Sequence, residues 1–134
     1  MSREYADFLQ AWTEDPNRAK PLFVALHECL LGLGATPAYK YRPGVSFSLR
    51  AANPQSSREL FTLVDVIDDD PEARWLSVCF FADLVSDPKE RGDVVPGGLM
   101  QKDARCFDVD GADDDIREYL IARLREAFLL AAGK

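Results

Sequence analysis

Two acidic groups are the residues of this chain best suited to chemistry. Asp68, Asp69, Asp70 and Glu72 form the first; Asp108, Asp110, Asp113, Asp114 and Asp115 form the second. Gathered carboxylates are the ligands that hard cations such as calcium and magnesium take. If the segments carrying the two groups pair as antiparallel strands, both groups fall at one end of a sheet. Asp68, Asp70, Asp108 and Asp110 are then candidate metal ligands. The local spacing argues against a calcium loop. In Asp108-x-Asp110-Gly111-x-Asp113 the glycine comes too early, and Tyr119 stands at the twelfth position, where a bidentate Glu is required. A solvated turn followed by a carboxylate-capped helix explains the same residues and is the weightier reading. Carboxylate pairs can also do acid–base work. A metal-dependent or carboxylate-using enzyme with its site at the acidic end of the sheet is therefore the alternative function.

Other chemistries find less. His27 is the sole histidine, and it lies two residues from Cys29, a spacing at which helix side chains do not face each other. No Gly-x-Ser-x-Gly elbow occurs, so no catalytic residue is nominated. Gly32-Leu33-Gly34 ends a helical pattern instead of opening one, and Pro96-Gly97-Gly98 lacks the lysine and Ser/Thr of a phosphate loop. No cofactor is implied. Cys29, Cys79 and Cys106 are odd in number, widely spaced and set among apolar residues, and read as buried reduced thiols acting as small hydrophobes.

The elements that must position these residues follow from periodicity. Tyr5, Phe8, Leu9 and Trp12 repeat at helical spacing and predict a short amphipathic helix ending near Asp15-Pro16. Leu22, Leu26, Leu30 and Leu33 form the stripe of a second helix, with Pro21 suited to its first position and Gly34 to its stop. The period then changes to two. Tyr39 and Tyr41 alternate with Lys40 and Arg42, and beyond Pro43-Gly44, Val45, Phe47 and Leu49 alternate with Ser46, Ser48 and Arg50. These residues predict a half-buried strand pair, or one interrupted strand. Leu60 to Ile67 is apolar on both faces, as expected of a central strand covered on both sides. Arg74 to Phe81 and Ala104 to Val109 are further strands. Asp113 to Asp115 then open a long C-terminal helix whose core stripe is Ile116, Leu120, Leu124, Ala127, Phe128 and Ala131.

Between the last two strands lies Ala82 to Asp103, long for a connection in a compact domain. Asp87-Pro88-Lys89-Glu90-Arg91-Gly92 has the cap, proline, capping-box Glu and glycine of one helical turn. Leu84, Val85, Val94, Val95, Leu99 and Met100 would pack the segment down as a compact wrap. In the strand from Arg74, Leu76, Val78 and Phe80 make one apolar face. Trp75, Ser77, Cys79 and Phe81 make a second face too apolar to leave wet. The long connection, the first helix or a partner chain must cover it.

At 134 residues and 47% hydrophobic content the chain reads as one α+β domain, 1–134. A mainly antiparallel sheet of four to five strands is expected, packed with the N-terminal helices and the long C-terminal one. The net charge is −7. Seven basic and seven acidic residues precede Asp68, whereas nine basic and sixteen acidic follow from it, so the second half would repel a nucleic-acid backbone. No apolar run reaches membrane-spanning length, and the charged N-terminus lacks a signal peptide, so a cytoplasmic location is expected.

Two resemblances stand beside these readings. The run from Leu60 to Asp110, with Val64-Asp65-Val66-Ile67-Asp68-Asp69, Arg74-Trp75-Leu76-Ser77-Val78-Cys79-Phe80, Gly92-Asp93-Val94-Val95-Pro96-Gly97-Gly98-Leu99 and Cys106-Phe107-Asp108-Val109-Asp110, resembles a bacterial family of small uncharacterised proteins. That family has no activity to transfer. The order of elements and the acidity resemble the usually dimeric chaperones of type III secretion. The segment after the crossover shows one clear strand here where those chaperones have two. The resulting expectation is a non-enzymatic binding or adaptor protein, acting as a homodimer or with another protein. Trp75, Phe81, Tyr39, Tyr41 and Arg50 are the candidates for its partner or ligand surface.

Overall fold

The computed structural model describes residues 2–134. Two helices lead, α1 (Arg3–Ala11) and α2 (Ala19–Leu33). Ser2 caps α1, and both carboxylate oxygens of Asp15 take the first amides of α2, from Ala19 and Lys20. Gly34 closes α2 at φ +88°, where its N–H reaches back to the carbonyls of Leu30 and Leu31. Pro21 sits in the third position of α2, not the first, because Arg18 is held in the left-handed region and the helix begins at Ala19.

Six strands follow: β1 (Thr36–Arg42), β2 (Ser46–Ala52), β3 (Thr62–Ile67), β4 (Trp75–Phe81), β5 (Asp93–Leu99) and β6 (Lys102–Val109). They form one antiparallel sheet in the order β1-β2-β3-β4-β6-β5. Pro43-Gly44 makes the β1–β2 turn, Gly44 supplying the φ of +79° that this position requires. The last helix, α3 (Asp114–Ala131), is capped by Asp113, whose carboxylate accepts from the Ile116 amide.

The sheet has six strands, not four to five, because Ala82 to Asp103 does not fold over it. The segment makes a short 3-10 turn at Ala82–Leu84. A turn held by Asp87 comes next, and then β5, which pairs with β6 at the sheet's edge. Leu84 and Leu99 anchor it in the core, while Val94, Val95 and Met100 stay exposed.

All three helices lie on the same face. Phe8 stacks on Phe47 at 4.3 Å between ring centroids, and Phe23 meets Phe47 edge-on. Tyr119 of α3 packs on Phe107, and Phe128 on Phe61. Val64, Val66, Leu76, Val78, Phe80 and Phe107 point into this layer and are fully buried. The expectation that β3 is covered on both sides is corrected. Its Leu63 and Ile67 point the other way, where no helix packs among the described residues, and are only half-buried.

Candidate functional site

The uncovered face of the sheet can be assembled row by row from the strand register. Ser46, Ile67 and Trp75 form one row, with Arg42 beyond Ser46 on β1. Lys40, Ser48, Asp65, Ser77 and Asp108 form the next, and Ala38, Arg50, Leu63, Cys79, Cys106 and Asp93 the third. Thr36 and Ala52 on one side and Phe81, Ala104 and Val95 on the other complete it. The centre of the face therefore has two apolar pairs, Leu63 with Cys79 and Ile67 with Trp75, on either side of the polar pair Asp65 and Ser77. Basic residues flank this centre on β1 and β2, and acidic residues on β6 and β5.

Trp75 is half-buried and lines an open cleft of about 340 Å³ with Asp108 and Asp110. An indole beside two exposed carboxylates attracts cations, through the ring's negative face as well as by charge. Phe81 lies on the same face but is closed off. The Arg58 guanidinium sits 4.9 Å from its ring, held in place by a bidentate pair with Asp83.

Asp65 is the central polar group. Its Oδ1 is buried with no hydrogen-bond partner. Burial pushes its carboxyl above the usual carboxylate range, an effect that Ser48, Arg42 and Arg50 only partly offset.

The nominated residues do not share one face. Trp75, Phe81 and Arg50 belong to the open face. Tyr39 and Tyr41 stand opposite Leu49 and Phe47 and point into the helix layer. There the Tyr39 hydroxyl meets His27 Nε2 at 2.6 Å, and the His27 ring stacks on Tyr5. Burial holds the His27 imidazole below its ordinary value, although Glu28 opposes the shift. Tyr41 donates to Asp68 at 3.0 Å.

The four carboxylates nominated for a metal separate in the same way. Asp68 is buried on the helix side and pairs with Arg74 at 2.6 Å, while its other oxygen accepts from Tyr41 and the Gly44 amide. Burial by itself would raise the Asp68 carboxyl. The bonds from Arg74, Gly44 and Tyr41 outweigh that and hold it below the usual range. Arg74 is stacked in turn over Phe8 and Trp12, so the Asp68 pair is a structural latch. Asp70 turns the chain toward β4, accepting from the Glu72 amide. Asp108 and Asp110 stay on the open face. Among the described residues no three His, Cys, Asp or Glu side chains gather as a metal would require.

The cysteines also depart from expectation. Cys79 and Cys106 stand directly opposite each other on β4 and β6, with Cα atoms 4.1 Å apart, and are joined as a disulfide in the middle of the open face. Only Cys29 is free, and burial pushes its thiol up. The oxidised pair removes the cysteine argument for a reducing compartment. Among the described residues no helix is long and apolar enough to cross a membrane.

A second polar hub lies on the helix side. Asp87 accepts from the Tyr119 hydroxyl and the amides of Arg91 and Gly92, and pairs with Arg105 at 3.2 Å. Burial alone would raise this carboxyl; these donors together hold it below the usual range. The hub fixes the turn before β5 against α3. Asp87, Arg105 and Tyr119 come from the connection before β5, from β6 and from α3, so their meeting depends on the packing of α3 on the sheet, which no local spacing in the sequence signals.

A scan against family models, a search of curated proteins and a search of solved structures found no match to this chain.

Proposed function

We propose that the chain is a non-enzymatic binding or adaptor protein whose docking surface is the open face of the sheet. The observation that carries this reading is the set of half-buried apolar residues Leu63, Ile67, Trp75 and Cys79, which no element among the described residues covers. A sheet face meant only for water alternates to polar residues, whereas this one keeps apolar side chains between charged margins. The clearest acidic ligand candidate, Asp68, is committed to Arg74, which weakens the metal-dependent alternative.

The chaperone-like character suggested by element order gains support from β5. It supplies the second strand after the crossover that the sequence pattern lacked. Descent from a bacterial family belongs to the same proposal.

Photo-crosslinking in cells that produce the protein tests the reading. A photoreactive residue at Leu63 is expected to capture a polypeptide, and one at exposed Leu129 on the helix side is not. Equal capture at both sites, or none at Leu63, would remove it.

A further inference from the structure

The charges of the open face are sorted by strand. Lys40 and Arg42 on β1 and Arg50 on β2 make one margin basic. Asp93 on β5, Asp108 on β6 and Asp110 just beyond it make the other acidic. All six are exposed, and none forms an ion pair among the described residues. The exceptions lie at the Phe81 end, where Lys102 adds a cation to the acidic margin and Arg58 is already held by Asp83.

Building on the docking reading above, we propose that the occupant of this face is a second copy of the chain. The two copies pack sheet to sheet about a two-fold axis running parallel to the strands between β3 and β4. Such an axis lays β1 and β2 of one copy over β5 and β6 of the other, so each basic margin meets an acidic one, and β3 lies over β4. A two-fold axis running across the strands would stack like charges and is excluded. Ile67 and Trp75, paired neighbours in one row, then close against the same two residues of the other copy.

The area suffices. Six strands at ~4.8 Å spacing and about 7 residues at ~3.3 Å give roughly 650 Å² per copy, or ~1,300 Å² in all, within the range of specific interfaces. The long stems of Lys40 and Arg42 span the gap of about 10 Å between stacked sheets, and can reach Asp108 and Asp110 on the strand beside the one they face.

Sedimentation of the purified chain across micromolar to millimolar concentration tests the proposal. The wild type should be a dimer that loosens as salt is added. One variant carries Lys40→Glu, Arg42→Glu and Arg50→Glu, and a second carries Asp93→Lys, Asp108→Lys and Asp110→Lys. Each alone should lose self-association by at least about tenfold. Mixed in equal amounts, they should form a heterodimer, because an all-acidic face then meets an all-basic one.

A variant-free measurement guards against misfolding. Carbodiimide coupling of isotopically mixed wild type should link Lys40 of one copy to Asp108 or Asp110 of the other. Within one chain these residues stand four strands apart, about 19 Å, too far for a direct amide link.

A wild-type monomer at every concentration overturns the proposal, as does a dimer whose links avoid these residues. So do folded variants that fail to combine. A monomer that still captures another polypeptide through Leu63 in cells leaves the docking reading intact and removes only the second copy. Failure of capture as well removes both.

Discussion

The two faces of the sheet are built from the same six strands and differ in how their side chains find partners. On the helix face the three polar hubs are committed: Asp68 to Arg74, Tyr41 and Gly44, His27 to Tyr39, and Asp87 to Tyr119 and Arg105, while the Tyr5 hydroxyl and Arg123 keep buried polar atoms without a hydrogen-bond partner. Those contacts tie helices to strands. On the open face Asp65 Oδ1 has no partner, the charges at the margins are unpaired, and the apolar pairs are half-wet. The difference separates residues that hold the fold from residues available for use.

The sharpest way to break the comparison is truncation on both faces. Phe47→Ala empties a site among Phe8, Phe23 and Tyr41 and should cost about 3–5 kcal/mol of unfolding free energy. Leu63→Ala, equally central but on the open face, should cost about 1 kcal/mol or less, since that side chain is already partly in water. Urea unfolding of the two variants measures this, and comparable losses would mean the open face is part of the core.

A smaller effect attaches to the Cys79–Cys106 bond, which closes a loop between residues 27 apart. Reduction should lower stability by about 2–4 kcal/mol. Thiol titration should count one free thiol before reduction and three after it. Three thiols in protein purified without reductant would show that the pair is not bonded.

The smallest effect is one of sign. Asp65 has its pKa raised in the fold, so its ionised form destabilises the folded state at neutral pH, and that penalty fades as pH falls through its folded value. Asp65→Asn should therefore raise stability at pH 7 by about 1 kcal/mol. His27 has its pKa lowered in the fold. Its contribution is complete above about pH 6.5 and declines as pH falls toward its folded value. Unfolding curves between pH 4 and 8 for His27→Gln and Asp65→Asn should therefore depart from wild type in opposite directions on acidification. Parallel departures would contradict the two environments described.

Gly34 and Asp113 made two helix ends legible, since one needs positive φ and the other accepts a free amide, whereas the start of α2 was not: Asp15, read as the end of the first helix, is the residue that takes its first amides. The β1–β2 hairpin was one of two readings of Tyr39 to Arg50, and the turn at Pro43-Gly44 decides for it over a single interrupted strand. The strand β5 was not. Its Pro96-Gly97-Gly98 reads as a turn, and the actual turn is Met100-Gln101, at φ +50° and +67°. Two-residue hairpin turns with positive φ at both positions ordinarily carry Asn or Gly, so the signal was missing. A bulge between Val95 and Leu99 absorbs the glycines at the edge.

The candidate surface was half legible. Alternation separates Trp75 from Leu76, but only register tells that Arg50 shares the face of Trp75 while Tyr39 and Tyr41 do not. The meeting of Cys79 with Cys106 likewise depends on register over a separation of 27 residues.

Arg74, latched to Asp68 and lying over Phe8 and Trp12, also bears on the order in which the chain can assemble. The apolar side of α1 is synthesised first, yet its covering partners, Phe47 and Arg74, emerge dozens of residues later. Contacts so distant in sequence close slowly. A nascent chain that has made α1 and α2 but not β2 would present Phe8 and Phe23 without Phe47, and the latch over Phe8 and Trp12 forms only after the β3–β4 turn has closed.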